Sequence, residues 1–333
     1  MSPFAFHYGP RLVSGEGAAA RIGEWIAPGP VLFVTDAQVL GLGLGDAALE
    51  GLRAGGRMVA VFDAVEADPS RATLEAAVAA GREAGAASVI GFGGGSPMDV
   101  AKLAAYLLGS GDDLDAIWGV GKAVGEALPL VLVPTTAGTG SEATPVSIIT
   151  LPGDEKRGVS SPALIAGHAV LDPLLTLDLP RGVTAATGMD AMVHAIEAYT
   201  SAYLKNPVSD MLAREALRLL AGNLPKACET PGDVAARSAM LPPSSCSGSG
   251  WAAECSSCTM RHAISEPLRT HFTSAGPVTR RASFGTKIPI VTLAEPLRGT
   301  NGSASDSIHP CWYASMCAGS RRKPPSFSAA AAI

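Results

Sequence analysis

The sequence predicts an α/β domain built on a largely parallel sheet, followed by an all-helical region, and three observations carry that prediction. Short β-branched runs alternate with helical stretches through the first half of the chain. The runs at 31–36 (VLFVTD), 88–92 (SVIGF) and 128–134 (LPLVLVP) are apolar without alternation, as strands buried between two layers of helices are. From Thr187 the texture turns helical, and Asp210–Ala221 continues it, with Met211, Leu212, Ala216, Leu219 and Leu220 set against Arg214, Glu215 and Arg218.

In order, residues 1–30 hold two extended candidates, Phe4–Tyr8 and Arg11–Ser14, then a helical stretch over Ala18–Ile26. Val31–Asp36 is a buried strand ending on an acid. There an Asp serves either as the acceptor for a ribose diol, where its charge repels a 2′-phosphate, or as a plain turn former. A strand at Arg57–Phe62, a turn at Asp68-Pro69-Ser70 and a helix over Arg71–Gly85 follow. Next, Ser88–Phe92 runs into Gly93-Gly94-Gly95 and a helix start, with Ser96 as N-cap, Pro97 at the first helical position and Asp99 as the acid of a capping box. Strand, glycine turn and helix N-terminus together make an anion site, because free N–H groups and the positive end of the helix dipole face whatever lies above side-chain-free backbone. A tight βα turn is the alternative, and the spacing is not G-x-G-x-x-G.

Leu128–Thr150 supplies another buried strand and then the loop Thr135–Ser141, in which six of seven residues are Thr, Ser or Gly. Such a loop suits phosphate or nicotinamide contact. His168–Leu171 is a short strand closed by Asp172-Pro173. The helix Thr187–Ser201 begins with Thr187 as N-cap and is marked as packed by Met192, Val193 and Ile196. It sets Asp190 and His194 four residues apart on one face, a metal-ligand spacing. The plainer alternative is an acid near a helix start and an ordinary semi-buried histidine.

Composition narrows the partners. At 333 residues, 47% hydrophobic and 17% charged, the chain is globular and long enough for two cores. A net charge of −5 argues against general nucleic-acid binding and for a small-molecule partner. The opening MSPFAFHYGPRLVSGEG has no basic segment leading into an apolar core, and no apolar run has the roughly 18 residues of a membrane span. We therefore expect a cytoplasmic protein with no membrane partner. No cysteine precedes Cys228, which argues against a disulfide framework.

GGGSPMDVAK, PTTAGTGSE and GMDAMVHAIEAYTS, in this order, resemble the iron-containing (group III) alcohol dehydrogenases, whose fold is shared with dehydroquinate synthase. The likeness covers roughly residues 1–241. It implies a Rossmann-like α/β nucleotide-binding domain over 1–180, the start of an all-helical metal-binding domain over 181–241, and a divalent metal in the cleft between them. By resemblance, Asp36 is the ribose contact, and Gly94, Gly95 and Ser96 form the pyrophosphate turn. Thr135, Thr136, Thr139 and Thr144, with Lys156, are the phosphate and nicotinamide contacts. Asp190 and His194 are the first two metal ligands. The implied cofactors are NAD in preference to NADP and Fe2+, with Zn2+ as the alternative. The implied reaction is hydride transfer between a primary or secondary alcohol, or its aldehyde or ketone, and the nucleotide, in a homodimer or larger homo-oligomer. A maleylacetate reductase-like enzyme on the same fold is the alternative, and an inactive truncated or frameshifted product is another.

His262 opens HAISEPLRTHF, which is similar to the family segment that supplies the third ligand. The fourth ligand position falls on Gly276, which cannot bind a metal, and His271 is the nearest substitute. Metal affinity and activity are therefore expected to lie below the family norm. From Pro242 onward the composition shifts to 16 Ser and 9 Pro in 92 residues, with 9 basic and 4 acidic side chains against 16 and 26 before it. We expect 242–333 to be an aberrant or poorly ordered tail, mostly out-of-frame translation, without the long striped helices of the family. A zinc site on Cys255, Cys258 and His262 is the rival reading.

Overall fold

Apolar strands that exclude water on both faces need a helix layer on each, and the first half of the chain is built that way. The computed structural model describes residues 4, 6–201 and 205–255, with side chains through Ser245. In chain order the elements are β1 (Arg11–Ser14), a 3-10 helix (Ala18–Trp25), β2 (Val31–Val34), α1 (Ala37–Gly41), α2 (Asp46–Ala54), β3 (Val59–Phe62), α3 (Arg71–Glu83), β4 (Ser88–Gly93) and α4 (Gly95–Ser110). Then come α5 (Leu114–Ile117), β5 (Gly119–Val120), β6 (Leu130–Pro134), β7 (Val146–Leu151), β8 (Glu155–Ser160), β9 (His168–Leu171), α6 (Arg181–Thr200), α7 (Pro207–Glu229) and α8 (Val234–Cys255).

Six strands form a parallel sheet in the order β1-β9-β6-β4-β2-β3. The chain leaves β2 outward to β3 and leaves β4 in the other direction to β6, so the sheet reverses its winding between β2 and β4. At such a reversal the flanking loops part and open a crevice at the strands' carboxyl ends. Asp36 follows β2 and the glycine turn follows β4, so both border that crevice. The pleat divides the core. Leu32, Val34, Leu74, Met98 and Leu103 pack on one face, and Val31, Phe33, Ile90, Phe92 and Leu52 on the other. Phe33 and Phe92 stack at 5.3 Å between ring centroids. Each buried side chain of this size contributes roughly 1.5–3 kcal/mol. Helix α4 lies so close to β4 that a Cβ on Gly91 would stand 2.7 Å from that of Ala101.

Several elements differ from expectation. Among the described residues, 4 and 6–8 form no strand, because Arg11–Ser14 alone pairs with β9. A second sheet, β5-β8-β7, was not foreseen; its β7–β8 pair is an antiparallel hairpin turned at Asp154, which adopts φ 61°. Helix α6 begins at Arg181 after Pro180, and Thr187 is not its N-cap but lies inside it, donating to the Val183 carbonyl at 3.0 Å. Asp190 therefore sits mid-helix, away from the dipole end. Val193 and Ile196 are exposed because α6 turns its small face, Gly188, Ala191, Ala195 and Ala198, to the interior. Small residues let the helices approach closely: a Cβ on Gly188 would stand 2.5 Å from Leu224 of α7. Helix α7 buries Ala213, Ala216, Leu220 and Leu224, leaving Met211 exposed.

Helix α8 is a correction of another kind. It runs on to Cys255, through Pro242 and Pro243, where no long helix was expected. The prolines lack the N–H groups that helix geometry calls for. Packing outweighs that cost on the first half of α8, where Ala236, Met240 and Leu241 join Ala191, Leu220 and Leu224 in one cluster.

Candidate active site

The crevice between β2 and β4 gathers the first group of residues. Asp36 caps α1, its Oδ1 accepting from the Val39 amide at 2.8 Å. Its Oδ2 points the other way, 3.3 Å from where a Cβ on Gly93 would be. Gly93 has φ 147° and admits no side chain, since that Cβ would also stand 2.9 Å from the Pro97 ring. Gly94, with open space where its side chain would be, is the residue that caps α4. The helix thus starts at Gly95, earlier than expected. Ser96 lies in its first turn rather than at the cap, and Asp99 makes no capping box. The capping signals misled because Asp99 is drawn inward by a stronger set of partners. Its Oδ1 accepts from Ser141 Oγ at 2.6 Å and from Lys102 Nζ at 3.3 Å, and its Oδ2 from the Ile148 amide at 3.0 Å. The α4 N-terminus is left without a side-chain cap, its amides facing the crevice.

The hydroxyl-rich loop forms the adjoining wall. The Thr135 amide donates to the Gly93 carbonyl at 2.9 Å, and the Thr139 side chain lies 3.3 Å from the Cβ position of Gly95. Thr136 is partly exposed between them. A bare turn, uncapped amides, an outward carboxylate oxygen and a threonine wall fit a nucleotide's pyrophosphate and ribose. Thr144 is committed elsewhere: it accepts from Lys102 Nζ at 3.2 Å and donates to the Ser141 carbonyl at 3.3 Å. Lys156, on β8, is ion-paired with Asp68 at 2.6 Å.

Asp190 and His194 share a face of α6, with Oδ1 and Nε2 3.8 Å apart. Two bonds of about 2.1 Å to one ion span that gap, so the pair fits a divalent metal through one oxygen and one nitrogen. Among the described residues no group of three or more His, Cys, Asp or Glu side chains gathers to hold an ion. His262 and Gly276 lie outside the described residues.

Gly138 joins the two groups. A Cβ added there would stand 2.7 Å from the Thr187 Cβ and 2.9 Å from its carbonyl oxygen. The threonine loop therefore meets α6 one turn before Asp190, and only glycine permits the contact.

Sequence reasoning missed Gly138, Lys102 and Glu142. Lys102 carried a signal, a lone cation in the apolar run MDVAKLAAYLL, which a buried helix keeps only with partners waiting. It is fully buried and reaches the Val146 carbonyl at 2.6 Å as well as Ser141 and Thr144. Burial pushes its amine below the usual lysine range, and the Asp99 carboxylate works against that shift. Glu142 is buried in the 3-10 turn Ser141–Ala143, bonded to the Ser245 hydroxyl of α8, and burial raises its carboxyl.

Residues 9–173 match the iron-containing alcohol dehydrogenase family, and residues 184–275 match the C-terminal part of the Fe-containing alcohol dehydrogenase family. An iron-containing alcohol dehydrogenase from Thermotoga maritima superposes with a TM-score of 0.68 at 35% identity, over 75% of this chain and 69% of that one. This chain belongs to the iron-containing alcohol dehydrogenase family. Its α/β sheet and the helices that follow are the family fold. A 1,3-propanediol oxidoreductase is also similar, with a TM-score of 0.72 at 33% identity, over 75% of this chain and 66% of that one. The long-chain-alcohol dehydrogenase 1 of Geobacillus thermodenitrificans is 42% identical over 210 residues, which are 62% of this chain and 53% of that protein. This family member thus spans about half the length of that curated relative. The C-terminal match runs past residue 241 and takes in HAISEPLRTHF.

Proposed function

We propose that this chain is a metal-dependent oxidoreductase that moves hydride between a primary or secondary alcohol and NAD. The observation that carries this reading is the contact of Gly138 with Thr187, which sets the wall of a nucleotide crevice against the helix that bears a carboxylate and an imidazole. Asp36 accepts from the ribose hydroxyls through Oδ2 while Oδ1 keeps the α1 cap. The amides of Gly94, Gly95 and Ser96 take the pyrophosphate. Thr135, Thr136 and Thr139 flank the nicotinamide side, with Thr144 acting from behind the loop through Lys102 and Ser141, and Lys156, paired with Asp68, is a further contact by resemblance alone. Asp190 and His194 hold the metal, joined by His262.

When bound, a divalent ion supplies Lewis acidity toward the substrate oxygen and NAD supplies the hydride acceptor. The rest falls to the protein. Asp190 and His194 fix where the substrate oxygen sits, and the glycine turn and threonine wall fix where nicotinamide C4 sits. In alcohol oxidation the carbinol C–H breaks, its hydride forms the new bond at C4, the hydroxyl proton leaves to solvent, and an aldehyde or ketone remains. The geometry that serves oxidation serves reduction equally. Relatives that share this fold act on different compounds, one bearing the name sulfoacetaldehyde reductase and another NAD-dependent methanol dehydrogenase, so the substrate here is a small alcohol or carbonyl compound of a class to be found by assay.

The test is NADH formation by the purified full chain with added Fe2+ under anaerobic conditions, across short alcohols, diols and, in the reducing direction, maleylacetate. Metal-dependent turnover with an alcohol, slower than that of full-length relatives, is expected. No turnover with any alcohol or aldehyde would overturn the reading.

A further inference from the structure

Ser141 is held by α4 through its side chain and reaches back to Thr139 through its backbone. Its Oγ donates to Asp99 Oδ1 at 2.6 Å and accepts from the Lys102 amine at 2.7 Å. Asp99 is itself fixed, since its Oδ2 accepts from the Ile148 amide at 3.0 Å and its carbonyl from the Ser147 hydroxyl at 2.8 Å. The Ser141 carbonyl accepts from the Thr144 hydroxyl at 3.3 Å, so side chain and carbonyl are both engaged. Gly140, at φ 62°, makes the left-handed turn that folds the Ser141 amide back on the loop. That amide donates to Thr139 Oγ1 at 3.3 Å.

A hydroxyl gives one proton and receives on its lone pairs. The Ser141 amide fills the accepting side of Thr139, and among the described residues no acceptor meets the Thr139 proton. The same side chain stands against the glycine turn, its Oγ1 3.6 Å and its methyl carbon 3.3 Å from where a Cβ on Gly95 would be. Gly95 opens α4, whose first amides carry no side-chain cap. A half-buried donor therefore stands beside an anion site with its proton free to give.

We propose that Ser141 is a positioning residue for Thr139: locked by Asp99 and Lys102, it keeps its amide on Thr139 Oγ1, so that the Thr139 hydroxyl donates to the nicotinamide-side phosphate of the dinucleotide. The proposal rests on the reading of this crevice as the nucleotide site. The buried lysine and aspartate then act on the ligand at two removes, through a serine whose hydroxyl they hold and whose amide orients the threonine.

Binding of NAD+ and of ADP-ribose, which has both phosphates and no nicotinamide, is measured by calorimetry on the purified full chain and its variants. Thr139→Val, which removes the hydroxyl at similar volume, is expected to weaken both about ten-fold, the scale of one hydrogen bond to a charged group. Ser141→Ala is expected to weaken both about ten-fold while Thr139 is in place, and to add less than about two-fold in the Thr139→Val background. A double variant weakened about 100-fold, the product of two independent effects, overturns the proposal and leaves Ser141 to structure alone. An unchanged affinity in Ser141→Ala also overturns it, as does a loss seen with NAD+ and not with ADP-ribose, which puts the donor on the nicotinamide. Should Ser141→Ala fail to fold, Ser141→Cys, a weak donor of similar size, takes its place in the cycle. Should the wild type bind neither ligand, the nucleotide reading falls and the proposal with it, whereas binding with independent effects removes the proposal alone.

Discussion

The Lys102 amine donates to the Ser141 hydroxyl across 2.7 Å in a site with no solvent exposure. The same amine reaches the Asp99 carboxylate and the Val146 carbonyl, so α4 and the segment after the threonine loop are tied from within. Removing the amine leaves Asp99 holding a charge in a poorly solvated place. Lys102→Met should lose roughly 3–5 kcal/mol of stability, as breaking one side of a buried pair does. Urea denaturation measures it, and a loss under about 1 kcal/mol would show that the cluster relaxes around the gap.

Gly138 gives a prediction about activity rather than stability. A methyl group there would meet Thr187 at 2.7 Å and push the loop from α6. Gly138→Ala should lower turnover about 100-fold, the effect of misplacing reacting groups by an ångström, while the urea midpoint moves little. Equal losses in turnover and in folded fraction would assign Gly138 to stability alone.

Glu142 sets a pH dependence. Burial raises its carboxyl above the ordinary 4.5, with the Ser245 hydroxyl and Lys102 opposing. The folded protein therefore holds this proton more tightly than the unfolded chain does. The stability it contributes is complete below pH 4.5 and is lost as pH rises through the folded value. Glu142→Gln, which keeps the shape and the contact to α8 without the charge, should flatten the decline in stability as pH rises above 4.5. An unchanged slope in thermal denaturation across that range would clear Glu142 of the effect.

Asp36 separates cap from selectivity. Asp36→Ser keeps an acceptor for the Val39 amide and removes the charge beside the glycine turn. Its KM for NADP should fall relative to that for NAD by about ten-fold, the scale of one partly screened repulsion. An unchanged ratio would remove Asp36 from the ribose site.

The strands of the parallel sheet were legible because their apolar runs are continuous, and Asp190 and His194 because helical spacing is fixed by geometry. Thr187 was misread for a local reason: a threonine before an apolar stretch looks like a cap, yet the helix had begun at Arg181 behind Pro180. Ser96 and Asp99 had every local mark of a capped helix start, and a buried lysine 39 residues from Ser141 in sequence took Asp99 instead. Of the apolar residues that suggest an interior, Met192 packs against the helical core while Val193 and Ile196 are exposed. The interior chose Gly188, Ala191 and Ala195, since α7 comes too close for larger side chains. What stayed hidden, such as Gly138 against Thr187, depends on approach between segments far apart in the chain, which no local pattern encodes.

In the proposed function the glycine turn and the Asp190–His194 pair face one reacting centre. Proton relaxation of NAD+ bound to the Mn2+-loaded chain reads that juxtaposition, because a paramagnetic ion speeds the relaxation of nearby protons. The nicotinamide C4 proton should relax faster than the adenine protons, and Asp190→Ala should abolish the difference. Equal relaxation at both ends of the nucleotide, with metal and NAD+ bound, would contradict it.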